Sequence, residues 1–490
     1  MTGILAEIAR VPARGRRPCR IASSSHPAAT PGTQPNRELM SRTRTAPNQT
    51  IRPLTSSRNG LGELVVGGCT ARELARTHGT PLLVLDEDTI RAACRAYVGA
   101  LGAHYPPGGR VLYASKALAV MAIHALVHQE GLGLDVVSAG ELHTALRAGV
   151  PAAACVLQGN NKTPEELLTA LAAGIGRINV DNLDELRLLL ALTEIHGHTV
   201  DVLLRVAPGI EAHTHAFIRT GQEDSKFGLD LRSGQLDTAL ELLAGQPRVR
   251  WLGLQAHIGS QIFDASAFER TAEVMVALLA EVRDRHGVVA EELDLGGGLG
   301  IPYVTDDDPP AIEETVARAA RAVLAACEAQ AYPPPRLVLE PGRSIVGPAG
   351  VSLYTVGARK EVPGVRTYVA VDGGMGDNPR PITYGAAYTA EAAGPALEAE
   401  ETVTIAGRFC ESGDVLVRDV RLPRLRAGDL LAVFGTGAYT YAMAGQYNRC
   451  GRPAVVLVGQ GRAEVICARE TLDDLVRLDR LPTRLRGAAT

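Results

Sequence analysis

From about residue 80 the chain alternates short apolar runs with stretches whose apolar residues recur at helical spacing. The runs are VLYAS (111–115), LGLDVVS (132–138), ACVLQ (154–158), RINVD (177–181), VLLRVA (202–207), WLGLQAH (251–257), ELDLG (292–296) and RLVLE (336–340). Most are almost continuously hydrophobic and bounded by Gly, Asn or Pro, the pattern of strands covered on both faces. Helical stretches such as ELHTALRAGV, TPEELLTALAAGI and LDELRLLLALTEI lie between them. Thr163-Pro164-Glu165-Glu166 reads as a helix start, with a Thr cap, Pro at the first position and acids in the first turn.

Eight β/α units predict an α/β fold, a (β/α)8 TIM-type barrel, whose sites form at the C-terminal ends of the strands. The polar residues fall at those ends: Lys116, Asp135 with Ser138, Asn160 with Asn161, Asp181, Arg205, His257, Gly296 to Gly298, and Glu340. Any one of them could be a helix cap or a solvated loop residue; the whole set at one end is not explained that way. After about residue 346, VSLYTVGARK, RTYVAVDGG, DVLVRDVRL and DLLAVFG read as strands. They predict a C-terminal β-sandwich or β-barrel domain. The expected division is a disordered basic extension over 1–55, first strands of the β domain and a lead-in over 56–80, the barrel over 81–345 and the β domain over 346–490. GELVVGG at 62–68 is the expected early strand of the β domain.

Composition narrows the function classes. A chain of 490 residues is expected to hold more than one domain. A formal charge of −4 offers no basic field for nucleic acid, and no apolar run reaches the ~18 residues of a membrane span. The eight cysteines (19, 69, 94, 155, 327, 410, 450 and 467) form no CxxC pair, so neither a disulfide framework nor a zinc knuckle is indicated. A reducing cytoplasm is expected. Residues 1–50 carry eight Arg with many Ser, Thr and Pro, a composition that buries too little surface to fold. It also resembles a transit peptide. A disordered extension, or a start placed upstream of an internal start at Met40, is the preferred reading.

Candidate chemistry gathers around Lys116, where a buried strand gives way to a helix. Gly296-Gly297-Gly298-Leu299-Gly300 after strand seven would let backbone N–H groups approach an anion, and barrels place phosphates at the loops after strands seven and eight. Glu340-Pro341-Gly342-Arg343 ends strand eight. A carboxylate there can hold a protonated ring nitrogen, and a guanidinium can grip carboxylate or phosphate. Lysine, phosphate cradle and carboxylate together describe a pyridoxal 5'-phosphate site. Lys116 would form the Schiff base, Glu340 would face the ring nitrogen and His257 would stack on the ring. Metal is not expected: His257 has no partner at ligand spacing, and His213-Thr214-His215 sits in a Thr- and Gly-rich loop.

The order YASK, HIGSQ, GGGLG, EPGR, DGGMGDNPRPITYGAAY, CESGD and GAYTYAMAGQYN resembles the fold-type III pyridoxal phosphate decarboxylases over roughly residues 60–480. Within them it is most similar to the branch acting on meso-diaminopimelate. The resemblance implies Lys116 as the cofactor lysine, His257 against the ring, Ser260 and Gly298 at the phosphate, and Glu340 at the ring nitrogen. It implies Arg343, Arg380 and Tyr384 at the substrate's far carboxylate, Cys410 as proton donor and Glu411 at the far amine. Tyr439 would touch both phosphate and substrate. In such enzymes the Cys410–Glu411 segment serves the other subunit's site, so a homodimer with composite sites is implied. The implied reaction is the formation of L-lysine and CO2, in lysine biosynthesis.

Two departures keep a related diamino acid open as substrate: Gln158 stands where the family's HGNNKS has His, and Pro379 where an apolar residue is usual. Cys410 without its CESGD context would read as an inert buried thiol. A silent homologue, by contrast, would be expected to lack Lys116, Cys410, Glu340 or the glycine run.

Overall fold

The computed structural model describes residues 46–209, 226–395 and 400–485. All eight expected strands form and close a parallel barrel: Gly109–Ala114, Gly133–Val136, Cys155–Leu157, Arg177–Val180, Val200–Arg205, Val249–Gln255, Glu292–Asp294 and Arg336–Leu339. The last pairs with the first through Leu337 and Gly109. Helices cover the outside and bury their apolar stripes in one large core. The helix Pro164–Ala173 begins as its sequence predicts, with Thr163 and Glu166 forming a reciprocal capping box.

The two ends of the barrel differ. At the strand starts, buried Glu292 receives both Arg177 and Arg336, an arrangement suited to stability. At the strand ends, Asp135, Gln158, Asp181, Arg205, Gln255, Asp294 and Glu340 are all buried. That many polar groups inside a barrel demand partners or a ligand.

The second domain is built on the long strand Gly350–Val362. Its first half pairs with Leu82–Asp86 and Leu430–Phe434, and its second half with Arg366–Val371, across a register shift between Val356 and Arg359. Nine strands are linked in this way, and Val369, Ile405, Leu431 and Val433 share one core.

Three expected boundaries move. Leu82–Asp86, assigned to the barrel, lies between Gly350–Val362 and Ala454–Gly459 in the β sheet. Its continuous LLVLD run is buried throughout, and only tertiary pairing distinguishes it from a barrel strand. Leu64–Val66 pairs with Ser57–Arg58 and Cys69–Thr70 in a separate small sheet, and packs on the β domain rather than joining it. The disorder expected over 1–55 does not hold for residues 46–55, while residues 1–45 lie outside the described residues. Asn48 is fully buried, its side-chain amide donates to the Pro310 carbonyl (2.9 Å), and its oxygen accepts the Ile312 N–H (3.1 Å). Those bonds anchor an otherwise polar segment at a helix start. His213 and His215 lie outside the described residues. Among the described residues no helix is long and apolar enough to cross a membrane.

Candidate active site

A cavity of about 830 Å³ opens at the strand ends. It is lined by Lys116, His257, Ser260, Gly298, Glu340, Arg343, Arg380, Tyr384 and Tyr439, nine of the residues singled out from sequence. Lys116 reaches it from a tight turn, Ser115–Ala117, at the end of the first strand. Its side chain keeps 41% of its accessibility because it faces the cavity. The Nζ lies 3.7 Å from Asp135. Burial opposes the lysine's charge, but Asp135, Tyr439 and Glu340 outweigh it and raise its pKa. Burial also pushes Asp135 up to about 7, against the pull of Lys116.

Glu340 is held by two carboxamides. Gln158 Nε2 donates to Oε1 (2.5 Å) and Gln255 Nε2 to Oε2 (3.1 Å). His257 accepts the Gly297 N–H on Nδ1 (3.3 Å). Burial, reinforced by Lys116 and Arg205, holds its pKa well below the usual value, so the ring is neutral and packs as an aromatic plate.

Arg343 and Arg380 surround Tyr303. Arg343 donates to the Tyr303 hydroxyl (2.6 Å) and to Ser260 Oγ (3.0 Å), and Arg380 lies 4.7 Å over the Tyr303 ring and donates to Tyr388 (2.9 Å). Burial opposes ionisation of Tyr303, yet the two guanidiniums prevail and lower its pKa. The Tyr439 ring lies against Arg343 (4.8 Å). Its backbone adopts φ +58°, a strained left-handed conformation of the kind found at functional sites.

The glycine run divides its work differently from the expectation. Gly296 N–H is engaged by Asp294 (2.8 Å) and Gly297 N–H by His257, so neither is free for an anion. Neither residue lines the cavity. Their role is close approach: a Cβ on Gly297 would sit 2.1 Å from the Glu340 carbonyl. Gly298 does face the cavity, with φ +118° and space for a Cβ only 2.4 Å from the Gly259 carbonyl. Cys410 and Glu411 are exposed and do not line the cavity of their own chain.

Sequence reasoning missed Gln255, Asp294 and Tyr303. Gln255 and Asp294 are polar residues interrupting buried strands, a signal open to reading in WLGLQAH and ELDLG. Tyr303 gave none, since its place between two arginines is a tertiary fact.

These residues fit pyridoxal phosphate. A lysine, an amide-held carboxylate, a neutral imidazole plate and a glycine-floored pocket with Ser260 and Arg343 match aldehyde, ring nitrogen, ring face and phosphate in turn. Fold and donor set thus define a pyridoxal phosphate enzyme built on a barrel. The chain belongs to the pyridoxal-dependent decarboxylases: the family model for their pyridoxal binding domain matches residues 87–347. It is 49% identical to the diaminopimelate decarboxylase of Synechocystis sp., over 90% of this chain and 95% of that one. With the Bacillus subtilis diaminopimelate decarboxylase it shares 50% identity, over 87% and 97%. The diaminopimelate decarboxylase of M. jannaschii, solved with L-lysine, superposes with a TM-score of 0.83 at 36% identity, over 90% of this chain and 100% of that one.

Proposed function

We propose that the chain decarboxylates meso-2,6-diaminopimelate to L-lysine and CO2, the closing reaction of lysine biosynthesis. Near-full-length relatives carry that activity in their names, and a structural neighbour was solved with L-lysine. The observation that carries the specificity is the pair of buried guanidiniums, Arg343 and Arg380, in the cavity that holds Lys116. Buried cations would repel a far end bearing only an amine and suit one bearing a carboxylate.

Pyridoxal phosphate, when bound, supplies the electron sink for breakage of the Cα–carboxylate bond. Lys116 would hold its aldehyde end, with Asp135 keeping the lysine oriented. Glu340 would stand at the ring nitrogen and His257 against the ring. Gly298, Ser260, Arg343 and Tyr439 would receive the phosphate. Arg343, Arg380 and Tyr384 orient the substrate's far carboxylate. Cys410 delivers a proton from Sγ to Cα, and Glu411 reads the far amine. Both are exposed and stand outside the cavity of their own chain, which supports a working homodimer in which they act in the cavity of a second copy. The seven cysteines of the described residues are all free, in keeping with a cytoplasmic setting. Gln158 gives no reason to prefer another diamino acid, because its amide is engaged by Glu340.

The test is product analysis. Purified protein with pyridoxal phosphate and meso-diaminopimelate should yield lysine by mass spectrometry, with ornithine and arginine untouched. An amine from another substrate, without lysine, would overturn the specificity. Mixing inactive Lys116→Ala and Cys410→Ala subunits should restore roughly a quarter of the activity, because half the dimers are mixed and each has one intact site. No recovery would refute the shared site.

A further inference from the structure

Asp294 ends the seventh barrel strand and is fully buried. Its Oδ1 accepts the Gly296 N–H (2.8 Å), while Oδ2 meets no donor among the described residues. What lies within hydrogen-bonding reach is the Glu340 carboxyl group. Two ionised carboxylates cannot share a buried contact of this kind, so one of them keeps its proton.

The surroundings decide which. Each Glu340 oxygen receives a carboxamide N–H, from Gln158 and from Gln255, and Glu340 also lines the cavity. Among the described residues Asp294 has a single backbone donor and no ion pair, with Arg205 near enough for the two charges to interact. The other charged groups nearby reinforce the assignment. Lys116 pairs with Asp135 on the second strand, and Arg205 on the fifth strand lies 3.7 Å from Asp181. His257, from the segment after the sixth strand, is neutral. Burial, followed by the charges of Glu340 and Asp135, drives the Asp294 pKa well above the ordinary range.

We propose that Asp294 is a positioning residue that stays a neutral acid and donates its proton to Glu340, holding Glu340 as the anion presented to the cavity. The proton-bearing oxygen is then Oδ2, the atom otherwise without a partner. This rests on the reading of Glu340 as the group facing the ring nitrogen. Asp294 itself does not line the cavity. Its contribution is to fix the orientation and charge of the residue that does, as outer-sphere partners do around metal ligands.

The test begins with the protein free of cofactor. At about pH 9, above the range near 7 where Asp135 and Asp377 titrate, infrared spectra should show the carbonyl stretch of a protonated carboxyl group. That band should disappear in Asp294→Asn and persist in Lys116→Ala. Its persistence in Asp294→Asn would mean that Asp294 is ionised, and would overturn the proposal whatever the cofactor does. Cofactor titration supplies the second reading. Asp294→Asn, which can still donate to Glu340 and accept from Gly296, should retain most of the affinity. Asp294→Leu should lose about 10- to 100-fold, the usual effect of removing an outer-shell partner. Equal losses in both variants, or none in Asp294→Leu, would refute the donor role. Should Asp294→Leu not fold, the Asp294→Asn spectra and titration decide alone. Failure of the Glu340 reading would show separately, as unchanged cofactor affinity and turnover in Glu340→Leu.

Discussion

Lys162 belongs to the QGNNK segment that carries Gln158 to the cavity, but it is itself a structural anchor. Its Nζ donates to Glu185 (2.8 Å) and to the carbonyls of Gly159 and Asn179 (2.7 Å each). The two side chains keep only 2% and 3% of their accessibility. Burial is the leading influence on both groups, lowering the Lys162 pKa and raising that of Glu185, so each charge is tolerated only because the other is there. Lys162→Met strands a buried carboxylate and should cost about 3–5 kcal/mol. Pairing it with Glu185→Leu removes the stranded charge, and the cycle should show a coupling of about 2–3 kcal/mol. Denaturation followed by circular dichroism measures both, read as unfolding rates if unfolding is irreversible. A single variant within ~1 kcal/mol of the parent, or strict additivity, would refute the reasoning. The absorbance of bound cofactor should fall in Lys162→Met, because the loop that positions Gln158 against Glu340 loosens.

Two further outcomes concern His124 and Gly298, the latter lining the cavity that Lys116 enters. His124 is fully buried and its Nε2 pairs with Ser115 Oγ (2.6 Å), directly before Lys116. Burial lowers its pKa to about 4, against ~6.5 when unfolded. The unfolded chain therefore takes up a proton that the fold refuses. Stability should fall as pH drops from about 6.5 to about 4 and level off below, by at most about 3 kcal/mol. His124→Gln should flatten that limb in denaturation midpoints measured across the range, and parallel limbs would contradict the assignment. Gly298→Ala places a Cβ 2.4 Å from the Gly259 carbonyl at φ +118°. With ~1–3 kcal/mol of backbone strain added to the clash, cofactor affinity should drop at least about tenfold in an absorbance titration. An unaltered titration would mean that the cradle does not need glycine there.

The amino-acid sequence by itself determined the barrel and much of the site. Parallel strands buried on both faces must be apolar almost throughout, so each of the eight announces itself locally, and the barrel's geometry then collects their C-terminal residues. That is why Lys116, His257, Gly298, Glu340 and Arg343 could be named from the strand ends, whereas Ser260, Arg380, Tyr384 and Tyr439 were named from the family resemblance; all nine line one cavity. Contacts across the fold were not legible. LLVLD at 82–86 has the same local pattern whether it joins a barrel or a mixed sheet, and its neighbours Ser352 and Val456 lie hundreds of residues away. GGG looks like an anion cradle until His257 and Asp294 are seen to occupy two of its N–H groups. The tertiary structure alone decided the partners of Glu340, the clasp of Arg343 and Arg380 on Tyr303, and the contact between Asp294 and Glu340. Hydrogen bonds and shared protons depend on ångström distances between segments, and no local pattern of residues encodes those distances.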